Sequence, residues 1–208
     1  MDRGLVKDQT QHERISLPRP RYQSQTSVGK ALSRRRSVRD FRDRPLVLSE
    51  LSQLLWAAQG ITHRSGYRAA PSAGALYPLD VYVLAGNING IDVGTYNYLP
   101  HEHSLLHYAS GDKRMALRQA ALDQPAVSSA AAVFVFCAVY ERTTGTYGKR
   151  GIRYVHMEAG HVAQNVYLQA LSLQLGTVAL GAFDDEQVKE VLALREEQPL
   201  YLMPVGKT

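Results

Sequence analysis

Hydrophobic positions change their spacing along this chain, and the changes mark its elements. From Tyr154 to Leu175 apolar residues recur at three- and four-residue steps: Val155, Ala159, Val162, Ala163, Val166, Ala170 and Leu173. That spacing predicts a long helix. Its apolar residues cover so much of the circumference that it reads as a fully buried central helix. Ala159, Gly160 and Ala163 are small enough to let another helix approach closely. Before it, Leu79–Ala85 part-alternates and is rich in β-formers. Asn89-Gly90 is a hairpin-turn signal, Val93–Leu99 follows it, and a further turn leads to Ser104–Tyr108. Together they predict an antiparallel meander. Ala131–Tyr140 is apolar almost throughout, as a strand buried on both faces must be.

Shorter signals fill the remainder. Residues 28–35 read as a short helix. Ser49 is a candidate N-cap for Glu50–Gln59, with Gly60 as the stop, and Asp112 can cap a helix through Leu122. Thr177–Gly181 reads as a strand. Asp184 with Gln187 makes a capping-box pattern ahead of a helix to about Leu194, and Pro199–Val205 is a last strand. Helices and strands alternate only loosely, so the class is α+β, not a doubly wound sheet. Residues 1–26 are polar and carry Leu17-Pro-Arg-Pro20; they predict an extended arm, with one domain over 27–208.

Charge adds one question. Lys and Arg number 24 against 19 Asp and Glu, a net charge of +5 over 208 residues. That suits a mildly basic soluble protein, a polyanionic partner, or a small anionic ligand held by clustered arginines. The single cysteine, Cys137, excludes a disulfide within the chain and a Cys-rich metal site; it lies in the apolar run and reads as a buried strand residue. The first residues lack the apolar stretch of a signal peptide, and no run approaches a membrane span, so the expected location is the cytoplasm.

Arg34-Arg-Arg-Ser-Val-Arg-Asp-Phe41 places four arginines within six residues around one serine. Like charges this close repel unless an anion answers them. A phosphate does so well, because guanidinium forks and a hydroxyl all donate to its oxygens. A solvated basic patch and a nucleic-acid contact are the competing readings. Ala70-Pro-Ser-Ala-Gly-Ala-Leu-Tyr-Pro78 combines small residues with stiffening prolines and can bring main chain close to a planar ligand. Ser72 is no hydrolase nucleophile by pattern, since Ala70 stands where the elbow needs glycine. Val205-Gly-Lys-Thr208 resembles a P-loop tail but has no glycine at 201. His101-Glu-His103 falls in a turn, and His156 and His161 sit five apart on the long helix, so no zinc motif arises and no metal is expected.

Four blocks carry a family resemblance. Arg35-Arg-Ser-Val-Arg-Asp-Phe41 resembles the N-terminal signature of the nitroreductase superfamily, and Pro71–Pro78 resembles its second flavin loop. Tyr154–Leu168 is similar to its central helix, closest to the SagB-type dehydrogenase branch, and Leu175–Asp184 resembles the strand and turn that close the pocket. The resemblance implies a mixed, partly antiparallel sheet flanked by helices, with the long central helix at a homodimer interface. It implies FMN as cofactor, with Arg35 and Ser37 at the phosphate, joined by Lys207, Arg36 among the cofactor-binding residues, and Arg39 near the pyrimidine edge. Pro71, Ser72, Ala73, Gly74 and Ala75 would contact the flavin of the other subunit, while Leu180 and Gly181 would set main chain near N5. It implies hydride transfer through N5 by a ping-pong course between small molecules, with NAD(P)H as a candidate donor, and neither nucleic acid nor membrane as partner. Two departures are visible. Ala75 stands where many relatives have Asn. Thr146-Tyr147 stands where azoline dehydrogenases use a Lys-Tyr pair, leaving Tyr147 as the single candidate catalytic residue. Azoline-to-azole oxidation on a modified peptide, a basic nucleic-acid-binding module and a flavin-binding protein without turnover are the alternatives.

Overall fold

The computed structural model describes residues 13–208. Its centre is β7 (Ala132–Ala138), buried at every position. Phe134 and Phe136 point to one face, and Val133, Val135 and Cys137 to the other, so the strand needs cover on both sides, as its uniform apolarity predicts. Burial pushes the Cys137 thiol pKa well up, as expected of an inert core residue.

Around β7 lie β1 (Arg14–Ser16), β3 (Leu79–Ala85), β5 (Gly94–Leu99), β6 (Ser104–Ser110), β8 (Leu175–Thr177) and β9 (Gln198–Lys207), in the order β1-β6-β5-β3-β7-β9-β8. Every pairing in this seven-stranded sheet is antiparallel. The parallel component is a separate two-stranded pair, β2 (Leu46–Val47) with β4 (Ile88–Asn89). One face is covered by α2 (Leu48–Gln59) and α6 (Arg150–Ser172), the other by α3 (Arg114–Ala120), α4 (Pro125–Ser129) and α7 (Asp185–Leu192). Helix α1 (Val28–Arg34) packs on α6, and α5 (Glu141–Tyr147) leads into it. Among the described residues no helix is long and apolar enough to cross a membrane.

Several boundaries move for local reasons. Helix α2 starts at Leu48, so Ser49 is inside it; the Glu50 carboxylate accepts from the Val47 N–H at 3.0 Å and takes the capping role. Asn89 is used by the β2–β4 pair, and the β3–β5 connection is wider than a tight hairpin. Asp112 accepts from the Arg114 N–H at 3.0 Å, but α3 ends at Ala120, ahead of Leu122 and Asp123 in left-handed conformation. The strand expected over 177–181 is β8, ending at Thr177, followed by an irregular turn with one bridge, Leu180 to Leu202.

The central helix is shifted from its expected span of about 154–175: it starts at Arg150 and ends at Ser172, Leu175 opens β8, and it is not buried all round. Val155, Ala159, Val162, Val166 and Ala170 face the sheet. Arg153, Met157, Gly160 and His161 are exposed on the opposite face. Within the segment read as an arm, β1 edges the sheet and Leu17 is buried. His103, also in the turn noted above, bonds Ser52 Oγ at 2.8 Å and the Pro18 carbonyl at 3.0 Å, tying that segment to α2.

Candidate functional site

The arginine segment is fixed by what lies beneath it. Ser27 caps α1 by accepting from the Lys30 N–H at 3.2 Å, and the helix ends at Arg34, just as the basic run begins. Beyond it the chain lies over β8 and β9: the Val38 N–H donates to the Thr177 carbonyl and the Arg42 N–H to the Lys207 carbonyl, both at 2.9 Å. Gly176 and Gly206 are register partners in those strands. A Cβ on Gly176 would sit 2.7 Å from Val38, and one on Gly206 2.8 Å from Phe41. Two glycines therefore let the segment's apolar side chains rest on strand backbone. Gly206→Ala is expected to cost about 1–3 kcal/mol by overpacking, read as a lower urea midpoint; an unchanged midpoint would show that Phe41 is not wedged there.

Held this way, the segment walls a cavity of about 320 Å³, lined by Arg34, Arg35, Arg36, Tyr167, Thr177 and Thr208 among others. The Arg35 guanidinium lies over the Tyr167 ring, 4.9 Å from its centroid, an arrangement that keeps the cation in place without neutralising it. Ser37 Oγ is 3.0 Å from the Tyr167 hydroxyl. Thr177 Oγ1 is buried and has no hydrogen-bond partner. The buried Thr95 and Thr143 hydroxyls are likewise without a partner among the described residues; that of Thr177 is the one beside the arginine segment. The expected phosphate set is only partly assembled. Arg36 donates to the Ser33 and Arg35 carbonyls at 3.1 and 2.8 Å, Lys207 is ion-paired with Glu50 at 2.5 Å, and Arg39 is exposed.

The closing turn is pinned on both sides of one glycine. The Ala179 N–H donates to the Tyr167 hydroxyl at 2.7 Å, and Leu180 exchanges both main-chain bonds with Leu202 at 2.9 and 3.0 Å. Beyond, the Ala182 carbonyl accepts from Gln124 and the Asp184 N–H donates to Ala120. Leu180 is thus buried with its amide committed, and Gly181 is the exposed residue of the expected pair.

The second loop is strained and anchored to the first half of α6. Gly74, Ala75 and Tyr77 have φ of +61°, +52° and +47°, which is costly for the two non-glycines and calls for outside support. Ser72 Oγ supplies part of it by accepting from the Tyr77 N–H at 2.9 Å, and its hydroxyl lies near enough to Glu158 to lower that carboxyl's pKa. Its hydroxyl is therefore used within the chain, consistent with its rejection as a nucleophile. Glu158 is 1% exposed and accepts from Gln59 at 3.2 Å; Gln59 in turn accepts from Arg68, which stacks on Tyr77 at 4.4 Å. His161 Nδ1 donates to the Pro71 carbonyl at 3.2 Å. Tyr147 joins this group: a Cβ on Gly74 would lie 2.9 Å from its hydroxyl.

Burial raises the Glu158 carboxyl pKa above its ordinary 4.5, against the opposing pull of Ser72, Gln59 and Arg68. The unfolded carboxyl then loses its proton first. The stability this group contributes is full below about pH 4.5 and is lost as pH rises through the folded pKa. The native protein should accordingly lose stability relative to Glu158→Gln as pH climbs through that window in urea titrations. A difference that stays flat with pH would contradict it.

The expected site residues thus form two groups. Arg35 and Ser37 meet at Tyr167, which also holds Ala179 ahead of Leu180 and Gly181, while Pro71 to Ala75 gather with Tyr147 around Glu158 and His161. Glu158 and Tyr167 are nine positions apart on one helix, roughly 13 Å along its axis. Tyr167, Thr177 and Glu158 escape a reading of the sequence. A tyrosine and a glutamate at helical spacing look like ordinary amphipathic positions, and only the tertiary contacts give them a part.

Comparison with known proteins bears on this geometry. A family model described as "Nitroreductase family" matches residues 32–207. Among relatives, MJ1384 of Methanocaldococcus jannaschii, which carries a provisional nitroreductase name, is 50% identical over 176 residues, covering 85% of this chain and 88% of that protein. The microcin B17-processing protein McbC of Escherichia coli is 30% identical over 146 residues, 67% of this chain; the chain spans about half of McbC, 54%. Among solved structures, a nitroreductase-class protein of Ralstonia eutropha superposes with a TM-score of 0.83 at 32% identity, covering 94% of this chain and 89% of that one.

Proposed function

The chain belongs to the nitroreductase family of oxidoreductases, and from that footing we propose that it is an FMN-dependent homodimeric enzyme that moves two electrons between small molecules, with NAD(P)H as a candidate donor. The observation that carries the reading is the arginine cavity with the buried, unpartnered Thr177 hydroxyl on its wall. A phosphate monoester fits it: Arg35 offers a fixed cation, and Ser37 and Thr177 offer neutral donors. A nucleic-acid backbone fits less well. Of the four arginines, one is stacked on Tyr167 and one is folded onto its own main chain, so they do not splay along a strand.

A flavin held there supplies hydride chemistry at its N5. The chain's own residues bind and orient it. Arg35, Ser37 and Thr177 would hold the phosphate end, Gly181 would offer main chain to the ring, and Arg39 would offset negative charge on the reduced flavin. The 71–75 loop, too far along α6 to serve the same pocket in one chain, serves the partner's. The split of the site into two groups favours this dimeric reading over a monomer.

Purified protein should be yellow and release FMN, not FAD, on heating. Arg35→Ala should weaken FMN binding by about 10- to 100-fold, since a hydrogen-bonded charge contact is removed. A colourless protein that FMN cannot reconstitute would sink the reading. Peptide azoline oxidation stands as a second reading, because McbC is named as a peptide-processing protein.

A further inference from the structure

Tyr167 carries three contacts at one place. Its hydroxyl accepts from the Ala179 N–H at 2.7 Å, lies 3.0 Å from Ser37 Oγ, and its ring seats the Arg35 guanidinium at 4.9 Å. The residue is half-buried on α6 and lines the arginine cavity. A phenol has one proton to give. The amide of Ala179 already occupies one lone pair, and among the described residues Ser37 Oγ is the remaining hydroxyl partner. If Ser37 donated instead, the phenol proton would have no acceptor among the described residues and would turn to solvent. The arrangement that pairs every group within the chain has Tyr167 donating to Ser37 Oγ.

We propose that Tyr167 is a positioning residue for phosphate recognition: the backbone of Ala179 fixes the direction of its proton, that proton occupies an acceptor site of Ser37, and the Ser37 proton is thereby aimed outward as a dedicated donor to a phosphate monoester. The same ring keeps Arg35 beside that donor. The order of donation then runs from the Ala179 amide through Tyr167 and Ser37 to the ligand oxygen. Each donor in such a chain strengthens the next. It also ties phosphate binding to the turn that holds Gly181, since Ala179 lies two residues before it. This inference rests on the FMN reading above, but it concerns only the phosphate end.

The test compares FMN with riboflavin, which lacks the phosphate, by flavin-fluorescence titration of the apoprotein. Tyr167→Phe and Ser37→Ala are each expected to weaken FMN by roughly 10- to 100-fold while riboflavin affinity changes by less than about threefold. In the double variant the second change should add little, because Tyr167 acts through Ser37. Three results would overturn the proposal: equal weakening of both flavins by Tyr167→Phe, which would make it a prop for the 179 turn; effects of the two substitutions that multiply; or an unchanged FMN affinity in Ser37→Ala, decisive even if Tyr167→Phe does not fold. Native protein that binds neither flavin would overturn the cofactor reading and this inference with it. Native protein that binds FMN, with variants that bind it equally well, would overturn this inference alone.

Discussion

Gly160→Arg should convert the protein from a species near twice 23.1 kDa to one near 23.1 kDa in light scattering, with loss of bound FMN in the same step. The single chain gives no reason for such damage. Gly160 is exposed on α6, and a Cβ there has nothing within 4 Å. Replacing a mid-helix glycine would even gain about 0.8–1 kcal/mol of helix propensity. A monomeric fold should therefore tolerate or welcome the arginine. The outer face of α6 argues otherwise. It carries Met157 at 51% exposure, one turn from Gly160, on a helix whose other side is packed. Leaving such a side chain in water forgoes about 1.5–3 kcal/mol. A second copy related by a two-fold axis would cover it and would bring its 71–75 loop to this chain's arginine cavity. An arginine in the middle of that contact would have to be buried without a partner. Flavin should leave together with the dimer, because on the proposed reading half of its site comes from the other chain. A variant that stays dimeric and yellow would remove α6 from the interface, and native protein that is monomeric yet holds FMN would remove the dimer altogether.

The sequence discloses these features unevenly, for physical reasons. Strand β7 is legible because a strand covered on both faces must be apolar at every position, and Val133 to Cys137 are. The first turn of α6 is hidden because Arg150 and Arg153 face solvent and break the apolar pattern that starts at Val155. Helix α5 is hidden because Thr143, Thr144 and Gly145 are poor helix formers; it exists because Gly151 lets α6 come down on it, its would-be Cβ 2.9 Å from the backbone of Thr144. The arginine cluster is legible through charge density alone. What holds it is not, because Gly176, Gly206, Thr177 and Tyr167 acquire meaning only when β8 and β9 pair and α6 crosses them. The 71–75 loop is legible as small and stiff. Its dependence on Glu158 is not, because the serine–glutamate contact joins segments far apart in the chain.

Thr146→Lys is expected to raise azoline-to-azole conversion on a heterocycle-bearing peptide by about 10²–10⁴-fold over a slow native rate. Aromatising an azoline removes both a hydride and a proton from ring carbon. The proton needs a base, and a threonine hydroxyl is far too weakly basic near pH 7, whereas a lysine made less basic by its surroundings can serve. In this chain the position before Tyr147 is Thr146, and it is exposed at the end of α5. Tyr147 lies against Gly74 in the loop group, so a base at 146 would stand beside the loop assigned to the partner's flavin. Lys149 does not replace it by sequence position: Gly148, with φ of +55°, turns the chain between Tyr147 and Lys149, and Lys149 is exposed at the start of α6. The measurement is peptide aromatisation with oxygen as acceptor, set beside NAD(P)H oxidation with a quinone on the same preparations. The substitution should raise the first and leave the second nearly unchanged, since quinone reduction asks for no base at that position. Rapid aromatisation by the native chain, abolished by Tyr147→Phe, would overturn the small-molecule reading and make peptide azoline oxidation the function of this enzyme. A Thr146→Lys protein no faster than native would show that residue 146 does not face the reacting carbon and that the Lys-Tyr correspondence fails here.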